Sequence, residues 1–459
     1  MRQNQCILLA VGSFRDRLAQ MLECELGRFV DLHPTSYKRW LHAQNHLLGG
    51  VPMPWMTRWA GAFPISFESA RGAHFSDVDG IEYVDFCLGD TAAMTGHGLA
   101  RIADALFDQA CLGITTMLPN EDAAWVGEEL ARRFGLPQWQ MAMTATDANR
   151  FVLRFARHLT GRAKVLVMDW CYHGTVDETL CVLDDGGAVV PRPGSLGPQV
   201  PPAETTRVVQ FNDLDALERE LANGDVACVL MEPALTNIGI VLPKPGYHEA
   251  VREVTRRYGA LLIIDETHTI CVGPGGATAA WALEPDFLVI GKPIGGGMPV
   301  AAYGMTSEIA ERLHEVLQSA AVDTSGVGGT LSGNALSMAA ARATLSSALS
   351  EADFATTIPL AKAWTDGVAA VIGDYDLPWH VQQLGCRSEY WFCPPPTNGR
   401  DAAAAGDTEL ATLMHLWALN RGILLTPFHN MALMAPQHTM ADVNAHTEVF
   451  RAAVAALVG

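Results

Sequence analysis

The sequence has little positive charge and no long apolar run. Its 31 lysines and arginines stand against 50 aspartates and glutamates, which gives a formal net charge of −19 over 459 residues. Nucleic acids and anionic membranes attract basic surfaces, so binding to either is not expected. No apolar run approaches the roughly 20 residues of a membrane span. The composition therefore favours a cytoplasmic protein that acts on small molecules.

The ten cysteines show neither a metal-binding nor a redox pattern. They are scattered, with no C-x-x-C pair and no zinc spacing, so we expect mostly buried, reduced thiols and no metal site. The first residues, MRQNQCILLAVGSFRD (1–16), contain a short apolar stretch without a convincing cleavage site after it. We expect an opening helix there and not a signal peptide.

Short apolar runs alternate with helical patterns along the chain. Runs that are apolar at nearly every position predict strands buried on both faces of a sheet. They are AKVLVMDW (163–170), DVACVLMEP (225–233), GALLIIDE (259–266), PDFLVIGK (285–292) and AAYGM (301–305). Helices are predicted at 148–161, 214–224 and 246–259, the last two ending at glycine. This alternation predicts an α/β fold with a mostly parallel central sheet covered by helices.

The same pattern predicts the division of the chain into domains. We expect residues 1–90 to form an N-terminal segment and part of a small domain, residues 91–345 the large domain, and residues 346–459 the C-terminal small domain. The segment 184–206 is rich in proline and glycine. It predicts a long loop, which we interpret as a lid over the site.

Polar residues follow several of the predicted strands. Asp265 ends one apolar run, Lys292 follows the next, and Glu232 follows an earlier one. In parallel α/β sheets, ligands bind at the carboxyl ends of strands. A desolvated lysine can form a Schiff base with an aldehyde, and a carboxylate facing a pyridine nitrogen keeps that ring protonated. Together they predict a site for pyridoxal 5′-phosphate (PLP).

The cofactor's phosphate needs a second feature, and the segment MTATDANR (143–150) offers it. Thr144, Ala145 and Thr146 are small residues immediately before a predicted helix. The free amides at a helix N-terminus attract anions. We therefore expect these residues to hold the phosphate.

Ordered motifs give the chain a family resemblance. It resembles the class III, fold-type I, PLP-dependent aminotransferases, and within them the glutamate-1-semialdehyde aminomutase branch. The matching segments are GAHFSDVDGIEYVDF (72–86), TATDAN (144–149), CYHG (171–174), MEPALTNIG (231–239), IIDETH (263–268), GKPIGGGMP (291–299) and GGTLSGNALSMAA (328–340). The resemblance covers nearly the whole chain and implies a smaller α+β domain built from both termini.

The resemblance also implies roles for single residues. Lys292 would form the internal aldimine and act as the proton shuttle, and Asp265 would pair with the pyridine nitrogen. The other residues implied around the cofactor are Thr144, Ala145 and Thr146 at the phosphate, Tyr172 on the ring face, His173 and Glu232 as supports, Asn237 at the phenolic oxygen, and Thr267 on the second ring face.

Thr330 would reach the phosphate from a neighbouring subunit, which implies a homodimer. Simpler interpretations stay open for some of these residues. Tyr172 could be core filler, Asn237 could cap a turn, and Thr330 could be a helix N-cap.

Departures from the family pattern concern the substrate. Met56 stands where the aminomutase branch has an arginine for the substrate carboxylate, Asp90 lies near the usual tryptophan, and Met431 lies near the usual glutamate. A pocket lined by Trp55, Met56 and Met431 would suit a less polar amine or amino acid. Arg58 is the alternative partner for a carboxylate.

The resemblance implies an aminotransferase. Such an enzyme moves an amino group from an amine or amino acid to a keto or aldehyde acceptor in a ping-pong cycle. The alternative is an isomerase with the same cofactor, either an aminomutase or a racemase. An isomerase needs no separate acceptor.

Overall fold

The computed structural model describes residues 13–196, 200–319 and 322–459. The helices are α1 Phe14–Leu32, α2 Pro34–Ala43, α3 Ala100–Leu112, α4 Glu121–Phe134, α5 Ala145–Thr160, α6 Pro202–Thr205, α7 Leu214–Leu221, α8 Tyr247–Tyr258, α9 Gly276–Ala280, α10 Ser307–Gln318, α11 Ala335–Ser347, α12 Glu351–Asp374, α13 Gly399–Ala404, α14 Thr408–Leu419 and α15 Met440–Val458. The opening helix expected at 1–16 falls mostly outside the described residues, and α1 begins at Phe14 behind the capping residue Ser13.

The strands are β1 Phe67–Arg71, β2 His74–Asp77, β3 Glu82–Asp85, β4 Gln138–Ala142, β5 Lys164–Met168, β6 Cys181–Leu183, β7 Val189–Pro191, β8 Thr206–Val209, β9 Val226–Met231, β10 Leu261–Asp265, β11 Phe287–Ile290, β12 Ala301–Met305, β13 His380–Leu384, β14 Arg387–Trp391, β15 Ile423–Leu424 and β16 Met431–Leu433. The structure places a strand in every apolar run that the sequence singled out.

A seven-stranded sheet forms the centre of the molecule, in the order β4-β12-β11-β10-β9-β5-β8. Residues of β9 and β11 are buried at every position, as expected for strands covered on both faces. The central pairs β11/β10, β10/β9, β9/β5 and β5/β8 are parallel. The predicted α/β class with a mostly parallel sheet is confirmed.

β12 is the exception, because it runs antiparallel to both β11 and β4. The sequence pattern alone placed it among the parallel strands. Only residues 291–300 connect β11 to β12. A parallel crossover needs about a dozen residues or more, so this connection can only return the chain in the opposite direction.

Both ends of the described chain contribute to the smaller sheets. β15 pairs in parallel with β3, so a C-terminal strand completes the β1-β2-β3 sheet. A three-stranded antiparallel sheet holds β13, β14 and β16, and α12 packs on it and on α15. This arrangement is the smaller α+β part of fold type I.

The segment 184–206 is more ordered than the predicted loop. β7 pairs with β6 in a hairpin, and α6 lies near the end of the segment, while residues 197–199 are outside the described part. A lid role for this segment stays a prediction.

The structure also bears on membrane crossing and on the state of the cysteines. No helix in the described ranges is long and apolar enough to cross a membrane. Eight cysteines in the part of the chain that the structure describes are free thiols, and six of those are buried.

Candidate active site

Lys292 follows β11 at the carboxyl edge of the central sheet. It begins a short 3-10 turn, Lys292–Gly295, and its φ of 50° lies in the left-handed region that side chains other than glycine rarely adopt. Strained backbone of this kind concentrates at functional sites, where the surrounding structure holds it. The side chain is about one quarter exposed, and its Nζ lies 2.7 Å from Asp90 Oδ2 and 2.8 Å from His268 Nε2.

Asp265 is the last residue of β10, the strand next to β11. Its Oδ2 accepts hydrogen bonds of 2.9 Å each from Asn149 Nδ2 and His173 Nδ1, and its Oδ1 accepts the Thr267 N–H at 3.1 Å. Burial acts to raise the pKa of Asp265, but the His173 and other hydrogen bonds outweigh it and lower the pKa to about 2. Burial acts to lower the pKa of His173, but the neighbouring Cys171 and Asp265 side chains outweigh it and raise that pKa. Asp265 is therefore an anion at neutral pH, as pairing with a protonated ring nitrogen requires.

Lys292 and Asp265 line one cavity of about 340 Å³. The other residues that line it are Trp55, Ala92, Met143, Thr144, Ala145, Thr146, Tyr172, Gly174, Glu232, Thr267, His268, Gly297, Met298, Pro299 and Val300. The predicted nucleophile, carboxylate and phosphate segment thus meet in one place, because the parallel strands end at the same edge of the sheet.

The N-terminus of α5 provides an anion site in this cavity. Thr144 is the N-cap, and its Oγ1 accepts the Asp147 N–H at 3.1 Å. The first amides of a helix have no partner within the helix, so they are available to a phosphate. Gly174 lies so close that a Cβ there would overlap Thr146, and Thr146 Oγ1 accepts the Thr175 N–H at 3.1 Å. The donors and the space fit the phosphate end of PLP.

Aromatic side chains and unpartnered polar atoms complete the fit. The rings of Tyr172 and Trp55 meet edge to face with centroids 6.0 Å apart. Glu232 Oε1, Thr267 Oγ1 and His173 Nε2 are buried without a protein partner. Burial raises the pKa of Glu232, whose Oε2 accepts a hydrogen bond from Thr236. Buried polar groups usually have partners, so the atoms of Glu232 and Thr267, which line the cavity, are suited to a polar ligand. His173 does not line the cavity and contacts Asp265 instead.

The structure does not bring every expected residue to the cavity. Asn237 Nδ2 donates to the Trp170 carbonyl at 3.2 Å, and the residue does not line the cavity. Thr330 is exposed and outside it, and the N-cap of α11 is Asn334 instead of Thr330.

The expected apolar substrate pocket is only partly correct. Trp55 lines the cavity, but Met56 lines a different, larger apolar cavity of about 720 Å³. Met431 is fully buried in β16, paired with Glu389 of β14, because this short strand packs into a large hydrophobic core. Arg58 is exposed with its guanidinium 5.6 Å from the Phe428 ring centroid. Asp90, in contrast, contacts Lys292 directly.

His268 is a site residue that the sequence reasoning missed. It lies three residues after Asp265, beyond the end of β10, and its Nδ1 is 3.0 Å from Thr91 Oγ1. A histidine so soon after a strand-end carboxylate was the available signal. Asn149 was missed as well, because its spacing from Asp265 along the chain gives no sign of contact.

Comparisons with known proteins agree with this geometry. Residues 55–451 match the family model of the aminotransferase class-III family. A glutamate-1-semialdehyde 2,1-aminomutase of Chloroflexus aggregans is 35% identical over 421 residues, which cover 88% of this chain and 93% of that protein.

Solved structures give the same result. A glutamate-1-semialdehyde aminomutase from Pseudomonas aeruginosa PAO1 superposes with a TM-score of 0.95 at 48% identity, covering 96% of this chain and 99% of that one. An omega-transaminase from Sphaerobacter thermophilus superposes with a TM-score of 0.83 at 27% identity, covering 93% and 98% of the two chains. The chain belongs to the class-III aminotransferase family of fold-type I enzymes, and its cofactor is pyridoxal 5′-phosphate.

Proposed function

We propose that this chain is a PLP-dependent aminomutase, an isomerase that moves an amino group within one carbon skeleton. The observation that supports PLP chemistry is that Lys292, Asp265 and the N-terminus of α5 line the same cavity. An aminotransferase, which the family resemblance of the sequence implies, would use the same groups. The aminomutase relatives favour the isomerase alternative instead.

The roles of the residues follow from their positions. Bound PLP supplies an aldehyde and an electron-withdrawing ring. Lys292 Nζ would hold the cofactor covalently and, when free of it, would carry a proton to and from the substrate carbon. Asp265 keeps the ring nitrogen protonated, and the amides at the start of α5 hold the phosphate. Tyr172 and Trp55 cover one side of the cavity and exclude water.

The lining of the cavity supports a substrate with little negative charge. No arginine is among the described residues that line it, and Trp55, Met143, Met298 and Val300 make much of its wall apolar. A carboxylate in such a pocket needs a cationic partner. We infer an amino compound less acidic than glutamate 1-semialdehyde, the substrate named for the relatives.

A test without an added acceptor separates the two reactions. We expect enzyme loaded with pyridoxamine 5′-phosphate to convert a candidate amino aldehyde into its amino ketone isomer, with no keto acid present. Mass spectrometry would show a product of unchanged mass, and chromatography would show the new isomer. Turnover that starts only when a keto acid is added, and aminates that acid, would contradict the aminomutase and restore the aminotransferase.

We also infer that the enzyme is a homodimer whose partner subunit completes the phosphate site through Thr330. Thr330 is exposed in the single chain, in the turn before α11. Large apolar side chains are exposed in the segment 112–118, including Leu112, Met117 and Leu118, which are 82%, 75% and 72% exposed. The Ala335 N–H donates to the Ile114 carbonyl, so this apolar segment lies against the start of α11. An exposed apolar patch of this kind favours a subunit interface.

Mixed dimers test whether Thr330 acts across the interface. If it does, a dimer of one Lys292→Ala subunit and one Thr330→Ala subunit contains one site with both changes and one intact site. We expect mixing, after mild denaturation and reassembly, to raise activity well above that of either parent. If Thr330 acts within its own subunit, every site carries a change and mixing gives no gain. Wild-type subunits mixed with Lys292→Ala subunits are the control for reassembly.

A further inference from the structure

The Lys292 amine lies between two groups that the family resemblance did not assign to it. Asp90 Oδ2 is 2.7 Å from Nζ on one side, and His268 Nε2 is 2.8 Å from Nζ on the other. Asp90 Oδ1 is buried and has no hydrogen-bond partner in the protein. The carboxylate is therefore directed at the amine and not at a structural donor.

The backbone that carries Asp90 is held in an unusual conformation. Four successive residues, 88–91, have positive φ angles, and Asp90 itself has a φ of 52°. Asp85 holds the start of this segment, because its Oδ1 accepts the N–H groups of Cys87 at 2.9 Å and Leu88 at 2.8 Å. A buried carboxylate thus enforces a strained turn that positions Asp90 beside the lysine. Strain of this kind persists only where the surroundings impose it.

His268 is fixed from its other side. Its Nδ1 lies 3.0 Å from Thr91 Oγ1 and 3.3 Å from Arg387 Nη1. Arginine can only donate, and the Arg387 side chain is fully buried, so it favours the tautomer in which Nδ1 accepts and Nε2 carries the proton. Burial, with the charge of Lys292, lowers the pKa of His268 well below its usual value. The ring is therefore neutral, and in this tautomer its Nε2–H can donate to the lysine once that amine is neutral.

These two neighbours favour opposite forms of the lysine. The Asp90 carboxylate stabilises the ammonium, whereas an Nε2–H of His268 donates best to a neutral amine. We propose that Asp90 and His268 both bind the Lys292 amine whenever it is not bonded to the cofactor. Asp90 stabilises the charged form and His268 the neutral form, so that the amine can both take up and return a proton. This proposal rests on the proposed function, since it concerns the proton carrier of that reaction.

The proton count of the cycle is simple. In the proposed cycle, Lys292 takes up the proton as a neutral amine that donates to Asp90 and accepts from His268. Taking the proton from the substrate carbon makes it an ammonium, whose charge Asp90 compensates. Returning that proton to the carbon that receives it restores the amine, and the Nε2–H of His268 favours this return. No other reactant is needed.

Other charged and titratable groups surround this arrangement and stay unchanged in the test. They are Asp265, Glu232 and Tyr172, which line the cavity, His173 against Asp265, and Arg387, Glu389 and His429 behind His268.

The experiment measures the protonation of Lys292 directly, without turnover. Enzyme loaded with pyridoxamine 5′-phosphate, in which Lys292 is free, is trace-labelled with acetic anhydride over a pH series, and acetylation of the Lys292 peptide is followed by mass spectrometry. We expect Asp90→Asn to move the labelling midpoint down by about one pH unit or more, because the ammonium loses its counterion. We expect His268→Phe to move it up, because the neutral amine loses its donor.

Internal and variant controls make these shifts specific. Lys362, which pairs with Asp366 at an exposed site, is measured in the same digest and should label identically in the wild type and in both cavity variants. Asp366→Asn should leave the Lys292 midpoint unchanged. Asp90→Glu, which keeps the charge, and His268→Gln, which keeps a donor, should both return the midpoint toward the wild-type value.

Shifts in opposite directions are the signature of the proposal. Midpoints that do not move, that move in the same direction, or that fail to return in Asp90→Glu and His268→Gln would overturn it. The proposed function is judged separately, because pyridoxamine 5′-phosphate binding is measured by absorbance before labelling. An enzyme that binds the cofactor but shows no shift loses only this inference.

Discussion

Replacing Lys292 by alanine is expected to abolish turnover and the visible absorbance band of the lysine-bound cofactor. The methyl group can neither bind the cofactor covalently nor carry a proton, so both functions of Nζ are lost. We expect the rate to fall by more than about 10⁴-fold, beyond the usual contribution of a single acid–base group. Product formation and an absorbance spectrum of the loaded protein measure the two effects.

The matched control is Lys362→Ala, which removes an exposed lysine that also pairs with an aspartate. It should retain the spectrum and the rate of the wild type. Lys292→Ala should still bind the cofactor through the α5 N-terminus and Asp265, because those contacts do not involve the amine. A Lys292→Ala protein that kept the visible band and normal turnover would disprove the role of this residue.

Replacing Asp265 by asparagine is expected to leave cofactor bound but to slow proton removal from the substrate by about 10³-fold or more. A neutral amide cannot keep the ring nitrogen protonated, and a neutral pyridine is a poor acceptor of electrons. The asparagine is nearly the same size as the aspartate, so the cavity keeps its shape. Exchange of the carbon-bound hydrogen of the substrate with solvent deuterium measures this step by itself.

The low pKa of Asp265 adds a pH dependence to the same prediction. Because its pKa is about 2 in the folded chain and about 3.9 in an unfolded one, the carboxylate stabilises the fold fully above about pH 4. That contribution is lost as the pH falls toward 2. Asp265→Asn should therefore weaken the fall of the melting temperature between about pH 4 and pH 2. A melting temperature that falls as in the wild type, together with an unchanged rate of hydrogen exchange at the substrate carbon, would contradict the role of Asp265.

The strands, and the positions of Lys292 and Asp265 at strand ends, could be predicted because each depends on local sequence. A run such as Phe287–Ile290, apolar at every position, has few alternatives to a covered strand. Lys292 and Asp265 follow two such runs, so a parallel sheet brings them to the same edge. The phosphate segment likewise depends on the start of one helix, α5.

The errors concern contacts between segments that are distant in the chain. The family resemblance placed Met56 and Met431 in the substrate pocket. In the structure, the neighbouring residues Trp55 and Met56 line two different cavities, and Met431 is buried in the core in β16. The direction of β12 depended on the length of its connection, which hydropathy does not encode. Neither side-chain direction nor strand direction follows from residue type.

The sequence by itself determined the fold class, the family, the cofactor and the position of the lysine, because hydrophobic periodicity and short motifs are local properties of the chain. Only the tertiary structure decided that Asp90 and His268 enclose the Lys292 amine. They are separated from it by 202 and 24 residues along the chain. Asp90 and His268 come together at Lys292 because of a strained turn and a buried arginine. The turn and the buried arginine exist only once the small and large sheets have packed together.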